Sequence, residues 1–232
     1  MNLHKLFDDM KNGLIYENLD LKQLISEIGA RPLIDALLEN IGNTNQLIRE
    51  NILSINYRLA SEGALEHQDY IYKLNICLSE NYLFKNIDGG ESDAVFVRSF
   101  TSLAIAWIIS ADSKMGFLSD DEYKNALDAA ISYMAQETDR RGYIAQKGWA
   151  HAIAHISNML GELIKHPKFP AEYAEKILDG IKLHIVSSKH PYADGEEARF
   201  TKMVVLPLLN KGTSEQQIKD WMHIQRMLNM IA

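Results

Sequence analysis

Apolar residues return every three or four positions along almost the whole chain. The spacing holds from Leu33 to Leu38, Leu47 to Leu59, Tyr70 to Leu78, and Val95 to Ile109. It resumes from Tyr123 to Met134, Trp149 to Ile164, Tyr173 to Val186, and Phe200 to Leu209, with a last stretch from Ile218 to Leu228. A period near 3.6 places one stripe of each segment against a core and predicts amphipathic helices. No alternating run bounded by turns predicts a sheet.

Start and stop signals agree with this reading. Ser119-Asp-Asp-Glu122 and Ser214-Glu-Gln-Gln217 are capping boxes, in which two side chains satisfy otherwise unpaired backbone donors. Pro32 and Pro170 suit first helical turns, and Gly63, Gly116 and Gly212 follow helical runs as C-terminal caps do. Pro207 falls inside an apolar run and predicts a kink or a stop.

The layout repeats. Long helices are expected near Thr44, Ala94, Ala145 and Gly195, about 50 residues apart, with partners near Glu66, Ser119, Pro170 and Ser214. This predicts an all-α fold, an α-α superhelix of stacked antiparallel helical hairpins of the HEAT or armadillo solenoid kind. Residues 1–232 are expected to form a single all-helical domain, with 1–43 as N-terminal capping helices and 44–232 as about four hairpins. The acidic loop from Asn86 to Asp93, with Gly89 and Gly90, is the candidate hinge or lid.

If first helices share a wall, Arg49, Arg98, Lys147 and Arg199 fall at equivalent phases and would line one cationic groove. A helix beginning at Lys147 would be two-sided. Trp149, Ile153, Ile156, Leu160, Leu163 and Ile164 form its apolar stripe; Lys147, His151, His155, Asn158 and Glu162 form the polar one. His151 and His155, four apart, would then share a face turned to solvent or to a polar groove, not to the core. Such a pair is half of a metal site, which Asp139, Asp194, Glu196 or Glu197 would have to complete. His-Ala-Ile-Ala-His lacks the glutamate of the metalloprotease motif.

Composition narrows the classes. The 232 residues are 47% hydrophobic and 24% charged, with a formal charge of −7. An acidic balance argues against a general nucleic-acid binder, which would need Lys and Arg to neutralise phosphates. One cysteine, Cys77, excludes an internal disulfide framework, and its apolar surroundings predict a buried, inert thiol. The N-terminus carries acid where a signal peptide would be apolar, and the run Leu103–Ile109 is too short to span a bilayer. The expected address is a reducing cytoplasm, with no membrane partner. Ser99, Ser102 and Ser110 lack a nucleophile elbow, and no glycine loop precedes Lys-Ser or Lys-Thr.

Val95-Phe-Val-Arg-Ser-Phe100, Asp139-Arg-Arg-Gly-Tyr143 and Lys147-Gly-Trp-Ala-His-Ala-Ile-Ala-His155 resemble signature segments of DUF2785, a bacterial family of domains of unknown function. Glu197-Ala-Arg199 is a weaker fourth, and the likeness runs from about Thr44 onward. The resemblance implies a HEAT-like all-helical fold and no activity. It implies a polar set of Arg98, Asp139, Arg141, Lys147, Trp149, His151 and His155. It also implies an aspartate where this chain has Asn158, which weakens any metal site built on His151 and His155. Asp139 is expected to cap a helix end and pair with Arg98, or else to orient a histidine.

The leading expectation is a binding module in which Arg98, Asp139, Arg141, Lys147, Trp149, His151, His155 and Arg199 receive a small anionic ligand or a protein or peptide segment. The alternative is a metal-assisted hydrolase or isomerase with His151 and His155 as ligands and Asp139 or Glu196 completing the shell; a divalent metal is expected only there. A third reading is a scaffold with no pocket chemistry. The oligomeric state is not legible.

Overall fold

The computed structural model describes residues 2–12, 19–186, 198–199, 201–214 and 216–220, the side chains of 182–186 excepted. It is mostly helical. Three short helices, α1 (Leu3–Lys11), α2 (Leu21–Ile28) and α3 (Ala30–Glu39), precede three hairpins. These pair α4 (Gln46–Ser61) with α5 (His67–Cys77), α6 (Ala94–Met115) with α7 (Asp120–Gln136), and α8 (Ala152–Lys165) with α9 (Tyr173–Val186). A π-helical turn, Thr201–Val205, leads into α10 (Leu206–Asn210). The fourth expected hairpin, with its start near Gly195, falls partly outside the described residues.

The starts follow local chemistry. Ser119 accepts from the Glu122 N–H while Glu122 reaches back to Ser119, so the expected capping box fixes the first turn of α7. Ser214 and Gln217 make the same reciprocal pair. Gly63, Gly116 and Gly212 all have positive φ, as left-handed caps require. At Pro207 the helical run changes geometry. The preceding turn widens to π geometry, and the proline lands in the first turn of α10, where its missing N–H costs nothing.

Side-chain contacts give the helices their directions. Arg49 lies on the Phe96 and Phe100 rings, Tyr57 meets Trp107, and a Cβ on Gly63 would approach the Met115 sulfur. Both numbers rise together, so α4 and α6 run parallel. Phe100 touches His155 and Asp112 touches His166, so α6 and α8 run parallel too. Within hairpins the order reverses: Tyr70 bonds the Leu59 carbonyl and Lys73 bonds Asn56. First helices thus lie side by side, and α5 and α7 run back antiparallel to α4 and α6.

Helix α6 is the hub, packing against α4, α5 and α8. At 22 residues it is long and apolar enough, by length and composition, to cross a membrane, which the shorter run Leu103–Ile109 did not suggest. Its apolar window is 72% buried inside the protein, the position of a core helix. Phe96, Ile105, Ile108 and Ile109 are fully enclosed, each contributing about 1.5–3 kcal/mol of burial. Cys77 is buried and unpaired, and burial pushes its thiol up to about 12, so the inert reading holds.

Polar groups on α6 bind it to its neighbours. Arg98, buried, donates Nε to Glu137 Oε2 at 2.7 Å and Nη2 to Oε1 at 2.9 Å. Tyr133 and the Asp139 N–H also donate to that carboxylate. At the other end, Asp112 accepts from the Phe117 and Leu118 N–H groups and lies 3.0 Å from His166 Nε2. Arg98→Met would strand the enclosed Glu137 carboxylate, and a loss of about 3–5 kcal/mol is expected in urea unfolding at neutral pH. Arg98→Met/Glu137→Leu should recover only part of that loss: no charge is left unpaired, but the Tyr133 hydroxyl and the Asp139 N–H lose their acceptor and the Lys85 carbonyl its donor.

Candidate functional site

The segment before α8 is where the structure departs from the periodicity. Lys147 does not begin a helix. Tyr143–Ile144 (β1) and Gly148–Trp149 (β2) form a small antiparallel hairpin, with Tyr143 opposite Trp149 and Ile144 opposite Gly148. Gln146, Gly148 and His151 all have positive φ, which no helix permits. The carbonyls a helix would need are taken by side chains from elsewhere. Arg49 Nη2 bonds the Lys147 carbonyl at 2.6 Å, and the Ser99 hydroxyl bonds that of Ala150. Gly148 lies so close under α4 that a Cβ would sit 2.6 Å from Gln46 Oε1.

Helix α8 therefore starts at Ala152, with His151 as its N-cap in the left-handed region at φ 50° and ψ 35°. Asn45 and Ser119 cap α4 and α7 with side-chain oxygens; His151 gives α8 no side-chain cap. Its carbonyl accepts from the His155 N–H at 2.9 Å. The N–H groups of Ala152, Ile153 and Ala154, three buried residues, meet no acceptor among the described residues. Unsatisfied donors of this kind each cost about 1–3 kcal/mol unless a ligand or water completes them.

The two histidines are neighbours, with ring centroids 6.1 Å apart, but they do not share a solvated face. His155 is only 8% exposed, a correction to its expected place on a polar stripe. Helix α6 covers that side of α8, and periodicity within one helix cannot register a second helix laid over it. His155 Nδ1 lies 2.9 Å from Ser99 Oγ. The Ser99 proton goes to the Ala150 carbonyl, so Nδ1 donates to Ser99 and Nε2 keeps its lone pair. Burial, then the charges of His151 and Arg199, drive the His155 pKa down to about 3, against which the Ser99 contact works. The imidazole is neutral at physiological pH.

His151 stacks on Trp149 with centroids 4.3 Å apart and planes within 1° of parallel. Trp149, placed by the periodicity on the buried stripe, is instead 41% exposed, and Tyr143 meets it edge to face at 58% exposure. Arg199 is exposed, its charge close enough to act on His155, and makes no hydrogen bond or ion pair among the described residues. Trp149, His151, His155 and Arg199 are thus brought together around the start of α8.

The other expected site residues are not. Arg98 is enclosed with Glu137 and lines no groove, and Arg49 is buried with its guanidinium on the Asn43 and Lys147 carbonyls. Burial pulls the Arg49 pKa down to about 10. For Arg98, burial works in the same direction, but the hydrogen bonds and charge of Glu137 outweigh it and raise the pKa. The expected cationic groove therefore does not form from Arg49, Arg98 and Lys147. Asp139 pairs with Arg141, not Arg98, through Arg141 Nε at 2.9 Å and Nη2 at 2.5 Å. Lys147 reaches Asp93 at 2.7 Å on the surface. Arg98 and Arg141 also hold the carbonyls of Lys85 and Ser92, so the loop read as a hinge or lid is fastened at both ends.

Ser99, Glu137 and the three free N–H groups were missed. Glu137 stands two residues before Asp139, yet no spacing distinguishes it as the Arg98 partner. Among the described residues no group of three His, Cys, Asp or Glu side chains could hold a metal ion; Asp194, Glu196 and Glu197 lie outside them.

The protein is thus an all-α chain of parallel first helices with an uncapped helix start bounded by aromatic and imidazole rings. Residues 83–231, more than half of the chain, match the family model described as "Protein of unknown function (DUF2785)", and the chain belongs to that family. No curated protein and no solved structure matches it.

The depressed His155 pKa fixes a sign for acid stability. The folded state holds the ring neutral, whereas the unfolded chain binds a proton near pH 6.5. The His155 contribution is therefore complete above about pH 6.5 and declines towards about pH 3, by at most about 1.4 kcal/mol per pH unit. Urea unfolding between pH 7 and 4.5 should show the wild type losing more stability than His155→Gln; parallel losses would contradict a neutral buried ring.

Proposed function

We propose that this protein is a binding module that takes the anionic group of a small molecule, or of a peptide segment, at the N-terminus of α8. The single observation behind this reading is the set of Ala152, Ile153 and Ala154 N–H groups, which meet no acceptor among the described residues and converge where a helix dipole favours negative charge. Arg199 adds an exposed cation, and the Trp149–His151 stack with Tyr143 supplies an aromatic rim for the rest of the ligand. The parallel run of first helices supports a single-domain, HEAT-like superhelix as the frame, and a cytoplasmic setting is consistent with the buried free thiol.

A metal-assisted hydrolase or isomerase gains less support. Asp139 is held by Arg141, and His155 directs one nitrogen at Ser99, which leaves the pair short of a carboxylate unless Glu196 supplies it.

The test is calorimetric titration at low ionic strength with inorganic phosphate and with citrate. Saturable binding is expected, weakened at least about fivefold by Arg199→Gln without a change in melting temperature, since Arg199 is exposed. Absence of binding by either anion, or equal affinity in the variant, would overturn the reading.

A further inference from the structure

A concavity lies between α4 and α6. Tyr57, Ala60 and Ser61 face Trp107, Ser110 and Lys114 across an opening of about 360 Å³, counting space continuous with solvent. Trp107 is eight residues beyond Ser99 on α6, roughly 12 Å along the helix, and none of these residues belongs to the α8 site.

Tyr57 and Trp107 meet edge to face at 5.6 Å and 68°, and Tyr57 is 52% exposed. Every polar side chain in the lining is unengaged. The Tyr57 hydroxyl, the Trp107 Nε1–H, the Ser61 and Ser110 hydroxyls and the Lys114 ammonium make no hydrogen bond or ion pair among the described residues. Arg141, Lys147 and Lys168 are held by carbonyls or carboxylates, whereas among the described residues Lys114, like Arg199, is not. No carboxylate lines the opening, and its one charged group is the Lys114 ammonium, beside hydroxyls and an indole N–H that can donate.

We propose that this opening binds a small aromatic carboxylate. Its single planar ring would lie against Trp107 and Tyr57, where offset and edge-on contacts between rings are favourable. Its carboxylate would meet Lys114 and the serine hydroxyls, through charge-assisted hydrogen bonds. The opening is smaller than most ligand pockets, so its occupant is limited to one ring and its substituent, partly open to solvent.

The test uses the full chain labelled with 5-fluorotryptophan. Its three tryptophans, Trp107, Trp149 and Trp221, give separate fluorine resonances that single Trp→Phe variants assign. Benzoate is expected to move the Trp107 resonance saturably and leave Trp149 in place. Benzamide, the neutral isostere, should bind at least about tenfold more weakly, and Lys114→Gln should lower benzoate affinity to the benzamide level. Lys114 is exposed, so the variant should melt with the wild type. No saturable Trp107 shift up to about 20 mM benzoate, or benzoate binding that survives Lys114→Gln, would overturn the proposal. A shift confined to Trp149 would overturn it as well, and would instead report on the α8 site.

Discussion

A helix buried along most of its length has little water to turn to, and α6 is such a helix. Each buried polar group it carries must find a partner in the protein or destabilise the fold. Arg98 finds Glu137 at the end of α7, Ser99 finds Ala150 and His155, and Asp112 finds the backbone leading into α7 and the His166 ring. These contacts join α6 to its own return helix and to the next first helix at both ends. Apolar packing alone would hold α6 in the core but would leave it free to slide; the polar pairs fix its register.

The same demand explains the hairpin before α8. Arg49 and Ser99 arrive from α4 and α6 already buried and in need of acceptors, and the carbonyls of Lys147 and Ala150 supply them. Those carbonyls are then lost to any helix, so the chain turns through Gln146, Gly148 and His151 before α8 can begin. The uncapped start of α8 follows from satisfying α4 and α6 first. What one part of the core gains in satisfied donors, the first turn of α8 lacks.

Most of the fold was legible because helix periodicity and caps are local. Ser119 with Glu122, the glycines at Gly63 and Gly116, and the apolar stripe from Ile153 to Ile164 all read correctly from neighbours within one or two turns. The site was legible only in part. Trp149, His151, His155 and Arg199 do converge, but the bonds that shape the segment come from residues 98 and 51 positions away. A pattern read along one helix assigned His155 to a polar face, because nothing within the segment announces that α6 lies over it. Charge counting failed for a related reason: Arg49 and Arg98 look like surface cations until the carbonyls and the Glu137 carboxylate that enclose them are seen in space.

The shared direction of α4, α6 and α8 has an effect at the scale of the whole molecule. In an antiparallel bundle neighbouring helix dipoles largely cancel, but helices of one sense laid side by side leave one rim of their layer partly positive and the other partly negative. Asn45, Asp93 and His151 mark the positive rim. On a chain with a net charge of −7 the sign of that rim runs against the overall charge, although Asp93 and the antiparallel return helices offset part of it. The layer therefore has two electrically unlike rims, set by helix direction before any side chain is counted.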